Sequence, residues 1–414
     1  MLQCVVERIP DGQSIRKSSH KKSQYRDKPA VLIITFCTFW ILFFPKAGVR
    51  VNGLPYLVST FCVIVLVVFL ILRRHSAGKQ THIFSYFLFA TSWYCLIIFR
   101  NSDFQISTAN KIAALFWFLL SPIFWILASS FRLRAGSLNI NVIYIYISIL
   151  SIFAISQHFF GLQFLQVPGL TIALGDSYES KNLNIFEGKN VVALKSPSTY
   201  QSGNLFGQVV AIILVWILEL TSKKNYGSRR LRLPMAAIVS SALLLSFSRT
   251  ALLALVFGWL VYFSTSRSKS KGSLAIVAAF LFVYAFLEPI AFSRFSFSNL
   301  SNDLGRTSIW LKALETYSVP DWLFGRVGPM PRNDIIMEGM FGILSQVGVI
   351  GLVLIIYCWK KAGLTQWPGF TAAFWFCLSI DSTYYFAPFM WIPAILLIFG
   401  NNIRISKLES TQKY

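Results

Sequence analysis

Charge is scarce in this chain. Only 13% of its 414 residues are Asp, Glu, Lys or Arg, about half of the ~25% usual in soluble domains. With 55% hydrophobic residues and a mean hydropathy of +0.59, that deficit excludes a soluble globular domain. Acidic residues are scarcest, 16 against 38 Lys and Arg, and no Asp-x-Asp or similar cluster is present to hold a metal. The cysteines are uninformative. Cys37, Cys62, Cys95, Cys358 and Cys377 lie in apolar runs and Cys4 in a polar tail, with no ligand spacing, so they read as small core hydrophobes. Internal repeats and low-complexity tracts are missing too. The first thirty residues are polar and basic rather than a charged start followed by an apolar stretch. They predict no cleaved leader, with the first span acting as the insertion signal.

Apolar runs dominate instead. A membrane span needs about 20 apolar residues, and on that measure about twelve candidates appear. They start near Ala30, Leu54, His82, Ile112, Ile140, Leu205, Leu233, Ala251, Leu274, Met340, Trp367 and Phe386. The net charge of +22 does not form one patch, which argues against nucleic acid. Its Lys and Arg fall in alternate connections, as the positive-inside rule expects of cytoplasmic loops. Residues 1–29 then form a cytoplasmic basic tail, residues 30–400 one transmembrane domain, and residues 401–414 a second cytoplasmic tail. Two outer loops are long, at about 163–201 and 289–339, and long loops are where binding residues concentrate.

Arg249 interrupts the apolar run from Leu233 to Phe263. An ionised guanidinium at the centre of a membrane helix costs about 2.5–3.5 kcal/mol on insertion scales. The run is long for one span and short for two, so it predicts a helical hairpin with its tip at Ser246–Ala251 (SFSRTA). The preceding stretch, Leu233 to Phe247, would be only ~22 Å long at 1.5 Å per residue. Arg249 is therefore expected below the outer interface, facing protein or water. Snorkelling to the headgroups is the structural alternative.

Four outward-facing stretches share the outer side. Ser196 to Gln208 (SPSTYQSGNLFGQ) closes the first long loop and opens a helix, and the Arg249 turn follows. Gly305 to Trp310 (GRTSIW) and Trp322 to Gly328 (WLFGRVG) lie in the second loop. Glu338 to Leu352 (EGMFGILSQVGVIGL) leads from that loop into a helix. Each is weak alone. As an ordered set they resemble the O-antigen ligase and Wzy-type polymerase superfamily of bacterial envelope glycosyltransferases, over roughly Ser196 to Leu352.

The resemblance implies an all-α, polytopic helical bundle of about twelve spans, GT-C-like, in the bacterial inner membrane with both termini cytoplasmic. The implied reaction moves a glycan from a polyprenyl-diphosphate-linked oligosaccharide to an acceptor glycan at the periplasmic face. Partners are membrane lipid and a chain-length regulator protein; no cofactor or metal is implied. As the leaving diphosphate gathers charge, placed guanidinium groups stabilise it. That is the expected role of Arg249, with Arg306 a second clamp and Arg326 and Arg332 further ligands. Ligase-type members carry a histidine where the second loop meets its helix. Here Met337 and Glu338 stand there, which favours a polymerase over a ligase. Glu338 becomes the expected base or acceptor-orienting group, with Asp334 behind it. Asp381, with Tyr384 and Tyr385, is a candidate for acceptor hydroxyls, and Asn204 matches the family's loop-to-helix Asn. Simple helix capping or interfacial placement would explain Asn204 and His158 equally well. A flippase or transporter is the rival class. It would favour internal repeats and charges in both halves, whereas the unusual polar residues here lie mostly in the second.

Overall fold

A computed structural model describes residues 12–51, 54–73, 78–100, 116–131, 133, 138–161, 166–171, 174, 184–187, 190–200, 202–222, 229–265, 314–315, 317–326, 339–381 and 387–411. Helices α1 (Gly12–Phe43), α2 (Val58–Leu72), α3 (Gly78–Arg100), α4 (Ser121–Ser130) and α5 (Asn141–Phe160) form the first half. In the second half are α6 (Gly203–Ser222), α7 (Arg229–Leu245), α8 (Arg249–Thr265), the short α9 (Val319–Phe324), α10 (Gly339–Lys361), α11 (Pro368–Ile380) and α12 (Ala387–Thr411). Two antiparallel hairpins decorate the connections, β1 (Gly48–Val51) with β2 (Leu54–Leu57), and β3 (Asn184–Glu187) with β4 (Asn190–Leu194).

Local chemistry sets the ends. Asn139 Oδ1 accepts the Asn141 N–H at the start of α5, and Gly161, at φ 92°, stops it. Proline opens α11 where its missing N–H costs nothing. A π turn at Phe116–Leu120 precedes α4, and the Tyr86 hydroxyl donates to the Phe118 carbonyl within it at 2.6 Å.

The interior is built around α12. Every residue from Pro388 to Asn401 is buried, so this helix is apolar on all sides, as a central helix must be. It lies along α4. Trp125 Nε1 donates to the Met390 carbonyl at 2.7 Å and Asn401 Nδ2 to the Ser129 carbonyl at 3.3 Å, fixing the pair at two levels. Beside them Trp359 stacks on Phe374 at 4.6 Å, and Phe374 on Phe389 at 5.1 Å. On the outside the polarity is reversed from that of a soluble protein. Large apolar side chains are exposed at helical spacing: Phe61, Ile64 and Val68 on α2, Leu253, Phe257 and Leu260 on α8, and Val349, Val353 and Ile356 on α10. Such stripes suit a hydrocarbon solvent. By length and composition, Asn141–Phe160, Gly203–Leu220 and Gly339–Lys361 are long and apolar enough to cross a membrane; seven further apolar helices are shorter.

The expected starts His82, Ile140, Leu205, Leu233, Ala251, Met340, Trp367 and Phe386 fall within four residues of a helix start. Others differ. Leu54 opens strand β2, and the helix begins only at Val58, because residues 48–57 pair as a hairpin. Ala30 falls well inside α1, which already begins at Gly12, within the segment read as a tail. Ile112 and Leu274 lie outside the described residues.

The expected pair of helices meeting at the Arg249 turn is present as α7 and α8. α7 and α8 are joined by a tight turn, yet they separate: α7 packs along α5, whereas α8 packs between α6 and α11. The physical reason is a close glycine crossing. A β-carbon at Gly258 of α8 would lie 2.7 Å from the Gly369 carbonyl and 2.8 Å from Ala373 Cβ of α11, so only glycine lets these backbones meet.

Candidate functional site

The start of α6 is built into the Arg249 turn. Within that turn Ser246 Oγ donates to the Leu243 carbonyl at 2.7 Å and accepts the Ser248 N–H at 3.3 Å. Ser248 Oγ then accepts the Ala251 N–H at 3.2 Å, an N-cap that leaves Arg249 as the first residue of α8, half-buried. Phe247 between the serines holds φ 48°, a left-handed conformation that non-glycine residues seldom adopt. Gly207 receives this turn. A β-carbon there would sit 2.9 Å from Ser248 Cβ and 3.1 Å from Ala251 Cβ, with Ser246 Oγ nearer still. Gly203, one turn earlier, is as tight: its β-position is 2.7 Å from the Ser246 carbonyl and 2.8 Å from Lys195 Cβ.

The chain reaches α6 through a buried, irregular segment. Ser196 to Tyr200 are at most 1% exposed at Ser196, Ser198, Thr199 and Tyr200. Most of its polar groups bond to neighbouring backbone, Ser196 Oγ excepted. The Ser196 N–H donates to the Leu245 carbonyl at 3.1 Å, Ser198 Oγ to Leu150 at 2.9 Å and Tyr200 Oη to Leu42 at 2.8 Å; Thr199 Oγ1 donates to the Phe43 carbonyl. Leu150 lies halfway along α5, so this segment enters the bundle to mid-helix. Polar backbone at such depth is tolerated only where protein satisfies it.

Two amides stand on one face of α6, four residues apart. Asn204 Oδ1 accepts from Lys195 Nζ at 3.3 Å, and Gln208 Nε2 donates to Asp381 Oδ2 at 2.8 Å. The two amide residues lie about 6 Å apart along the axis, one holding a cation and the other an anion. Asp381 ends α11, where its N–H donates to the Cys377 carbonyl at 3.1 Å. The adjoining Ser379–Ile380 backbone lies against Gly339, a residue at φ 63° that opens α10.

A second cluster lies at the α3–α9–α10 side. Helix α10 is broken at Gly348, whose φ 67° and ψ 179° only glycine adopts readily. Gly325 packs into the break, the Arg326 N–H donates to the Ser345 carbonyl at 2.7 Å, and Trp93 Nε1 donates to that of Val347 at 3.2 Å. The carbonyls freed by the kink are thereby satisfied. The Arg326 guanidinium meets Asp321 Oδ2 at 2.6 Å and covers the Tyr317 ring at 4.8 Å. Asp321 also accepts from the Ser318 N–H at 2.9 Å and hydroxyl at 2.6 Å. Burial opposes its ionisation, but these bonds outweigh it and hold its carboxyl below the ordinary range.

Of the residues expected from sequence, Asn204, Arg249 and Asp381 are drawn to one end of α6, α8 and α11. Arg326 is held instead by Asp321 and Tyr317 of the second cluster. Arg306, Arg332, Asp334, Glu338, Tyr384 and Tyr385 lie outside the described residues, although Gly339, next to Glu338 in sequence, borders the first cluster. His158 is near that cluster, its ring 6.2 Å from Phe247. Lys195 and Gln208 were missed. Their signal was only proximity in sequence to Asn204 on an amphipathic helix start.

A helical bundle with an apolar exterior and a polar end of this kind defines an α-helical membrane protein. Beyond that class, no protein-family model, curated protein or solved structure matches the chain.

Proposed function

We propose that the chain is an inner-membrane glycosyltransferase of the O-antigen ligase and polymerase type, and specifically a polymerase. It would transfer a growing glycan from polyprenyl diphosphate onto a lipid-linked repeat unit, in a bundle of about twelve spans whose termini both lie in the cytoplasm. The observation that carries this reading is the meeting of three distant stretches at one end of the bundle. Gly207 seats the Arg249 turn, Gln208 holds Asp381, and the Ser379 backbone abuts Gly339. In this reading Arg249 faces the leaving diphosphate, where charge builds as the anomeric C–O bond breaks; a guanidinium fixed beforehand in a site with little water stabilises it strongly. Glu338, the residue before Gly339, orients the acceptor hydroxyl and takes its proton, and Asp381 binds acceptor sugar hydroxyls. The missing loop histidine favours polymerase over ligase.

Deletion of the gene followed by surface-polysaccharide analysis tests the reading. Lipid A-core capped by single repeat units is the expected result, restored to polymer by the wild-type gene but not by Arg249→Ala. Naked lipid A-core with polymer stranded on its carrier would make the chain a ligase. An unchanged profile would remove the enzymatic reading altogether.

A further inference from the structure

We propose that Lys195 is a second cation of this site and binds the lipid diphosphate together with Arg249; the inference rests on the glycosyltransferase reading above. Lys195 is the residue at which the chain turns from strand β4 into the buried Ser196–Tyr200 segment. Its stem is pinned, because the β-position of Gly203 is 2.8 Å from Lys195 Cβ and 2.7 Å from the Ser246 carbonyl of the Arg249 turn. Its head is aimed, because Nζ donates to Asn204 Oδ1 at 3.3 Å. One glycine therefore brings the lysine and the arginine turn to the same place from positions far apart in sequence.

The helix geometry supports an anion here. Helices α6 and α8 both begin at this point, and each N-terminus carries partial positive charge, with Ser202 Oγ and Ser248 Oγ already accepting the Leu205 and Ala251 N–H groups. Two such ends beside an ammonium and a guanidinium form a polyanion cradle, the arrangement that anion sites at helix termini exploit singly. The Asp381 carboxylate is the opposing charge. It is held by Gln208 one turn further along α6, on the side assigned to the acceptor.

An independent observation points to a missing molecule. Ser196 is 1% exposed and Gln208 0% exposed, yet Ser196 Oγ and Gln208 Oε1 have no hydrogen-bond partner among the described residues. Buried polar atoms are nearly always bonded. These two flank the Lys195–Asn204 pair along the chain and along the helix. Ser196 Oγ can donate to a phosphate oxygen, whereas Gln208 Oε1 only accepts and calls for a ligand hydroxyl. A diphosphate ester linked to a sugar supplies the charge, the phosphate oxygens and the hydroxyls.

The test uses the purified full chain in neutral-lipid nanodiscs. Binding of added polyprenyl diphosphate is measured for the wild type, Lys195→Gln, Lys195→Arg and Arg249→Ala. In parallel, an amine-reactive reagent is applied to the wild type and labelling of Lys195 is read by mass spectrometry. The expected results are about tenfold or greater weakening in Lys195→Gln, with affinity largely restored in Lys195→Arg because the charge is kept, and protection of Lys195 by the lipid diphosphate. Equal affinity of Lys195→Gln and wild type, with Arg249→Ala impaired, would overturn the role of Lys195 and leave the functional reading intact. The protection arm decides the matter if that variant does not fold: undiminished labelling under saturating lipid diphosphate overturns the proposal. Equal protection by phosphatidylglycerol nanodiscs alone would also overturn it, showing a general headgroup contact. No binding of polyprenyl diphosphate by the wild type would remove both the proposal and the reading beneath it.

Discussion

The Ser196–Tyr200 and Tyr317–Arg326 segments both pack into the bundle, but they are held there by different physics. The Ser196–Tyr200 segment is almost wholly buried and is secured by neutral hydrogen bonds from its hydroxyls to carbonyls of α1 and α5. The Tyr317–Arg326 segment is partly exposed, with Val319 72% accessible, and is secured by the Asp321–Arg326 ion pair and a glycine-to-glycine contact with α10. The first follows Lys195 directly and gives most of its hydroxyls to backbone. The second spends its arginine on its own fold. A guanidinium in an outer loop is thus no guide to substrate binding until its carboxylate partners are known.

Mutations that separate the two modes sharpen the contrast. The largest effect is expected from Gly348→Val. A β-carbon there meets the Leu323 carbonyl in a backbone conformation reserved for glycine, so a loss of roughly 3 kcal/mol or more is expected. Thermal unfolding of the purified protein, or its failure to purify, measures this. Next comes Asp321→Asn, which removes the ion pair and weakens three hydrogen bonds at a buried carboxylate; about 2–3 kcal/mol is expected. This effect depends on pH with a definite sign. A carboxyl held below its ordinary value in the folded state contributes stability above about pH 4 and loses it as pH falls further. The gap between wild-type and Asp321→Asn melting curves is therefore flat from neutrality to mild acid and closes below that; a gap that widened in acid would refute the assignment. Gly207→Ala, in the first region, forces α6 away from the Ser246–Ala251 turn at a cost of about 1–3 kcal/mol. Polysaccharide output should fall more than the melting temperature does, because the turn bears Arg249. The smallest effect is Ser198→Gly. It loses one hydrogen bond, about 1 kcal/mol, but relieves the left-handed strain at φ 53°, so unfolding should shift by less than in Ser198→Ala. If charge rather than neutral bonding secured the first region, high salt would lower the melting temperature of Asp321→Asn as much as that of the wild type.

Hydropathy made most helix starts legible, because a run of about twenty apolar residues has few other uses. It failed where polarity is buried or where a run is continuous but the helix is not. Ser196 to Tyr200 read as loop because hydropathy cannot see that Leu42, Phe43 and Leu150 offer them carbonyls. Gly348 read as part of an unbroken span because Val347 and Val349 around it are apolar, while the break depends on Gly325 from another segment. Leu54 to Leu57 read as the beginning of a span because strand pairing with Gly48–Val51 leaves no periodic trace in so few residues. In the site, Arg249 was conspicuous as a lone charge in an apolar run. Lys195 and Gln208 acquire meaning only through Asn204 and Asp381, and the second of these is remote in sequence.

Glu219 carries the last consequence. It is 0% exposed near the C-terminal end of α6, and its carboxylate accepts the Phe370 N–H at 3.1 Å in the first turn of α11. At the opposite ends of the same two helices, Gln208 and Asp381 are joined. α6 and α11 are therefore riveted at both extremities, and pulling either rivet strands a polar group in hydrocarbon at a cost of several kcal/mol. The two contacts resist sliding of α6 along α11, and the Glu219 contact lies three residues past Trp367.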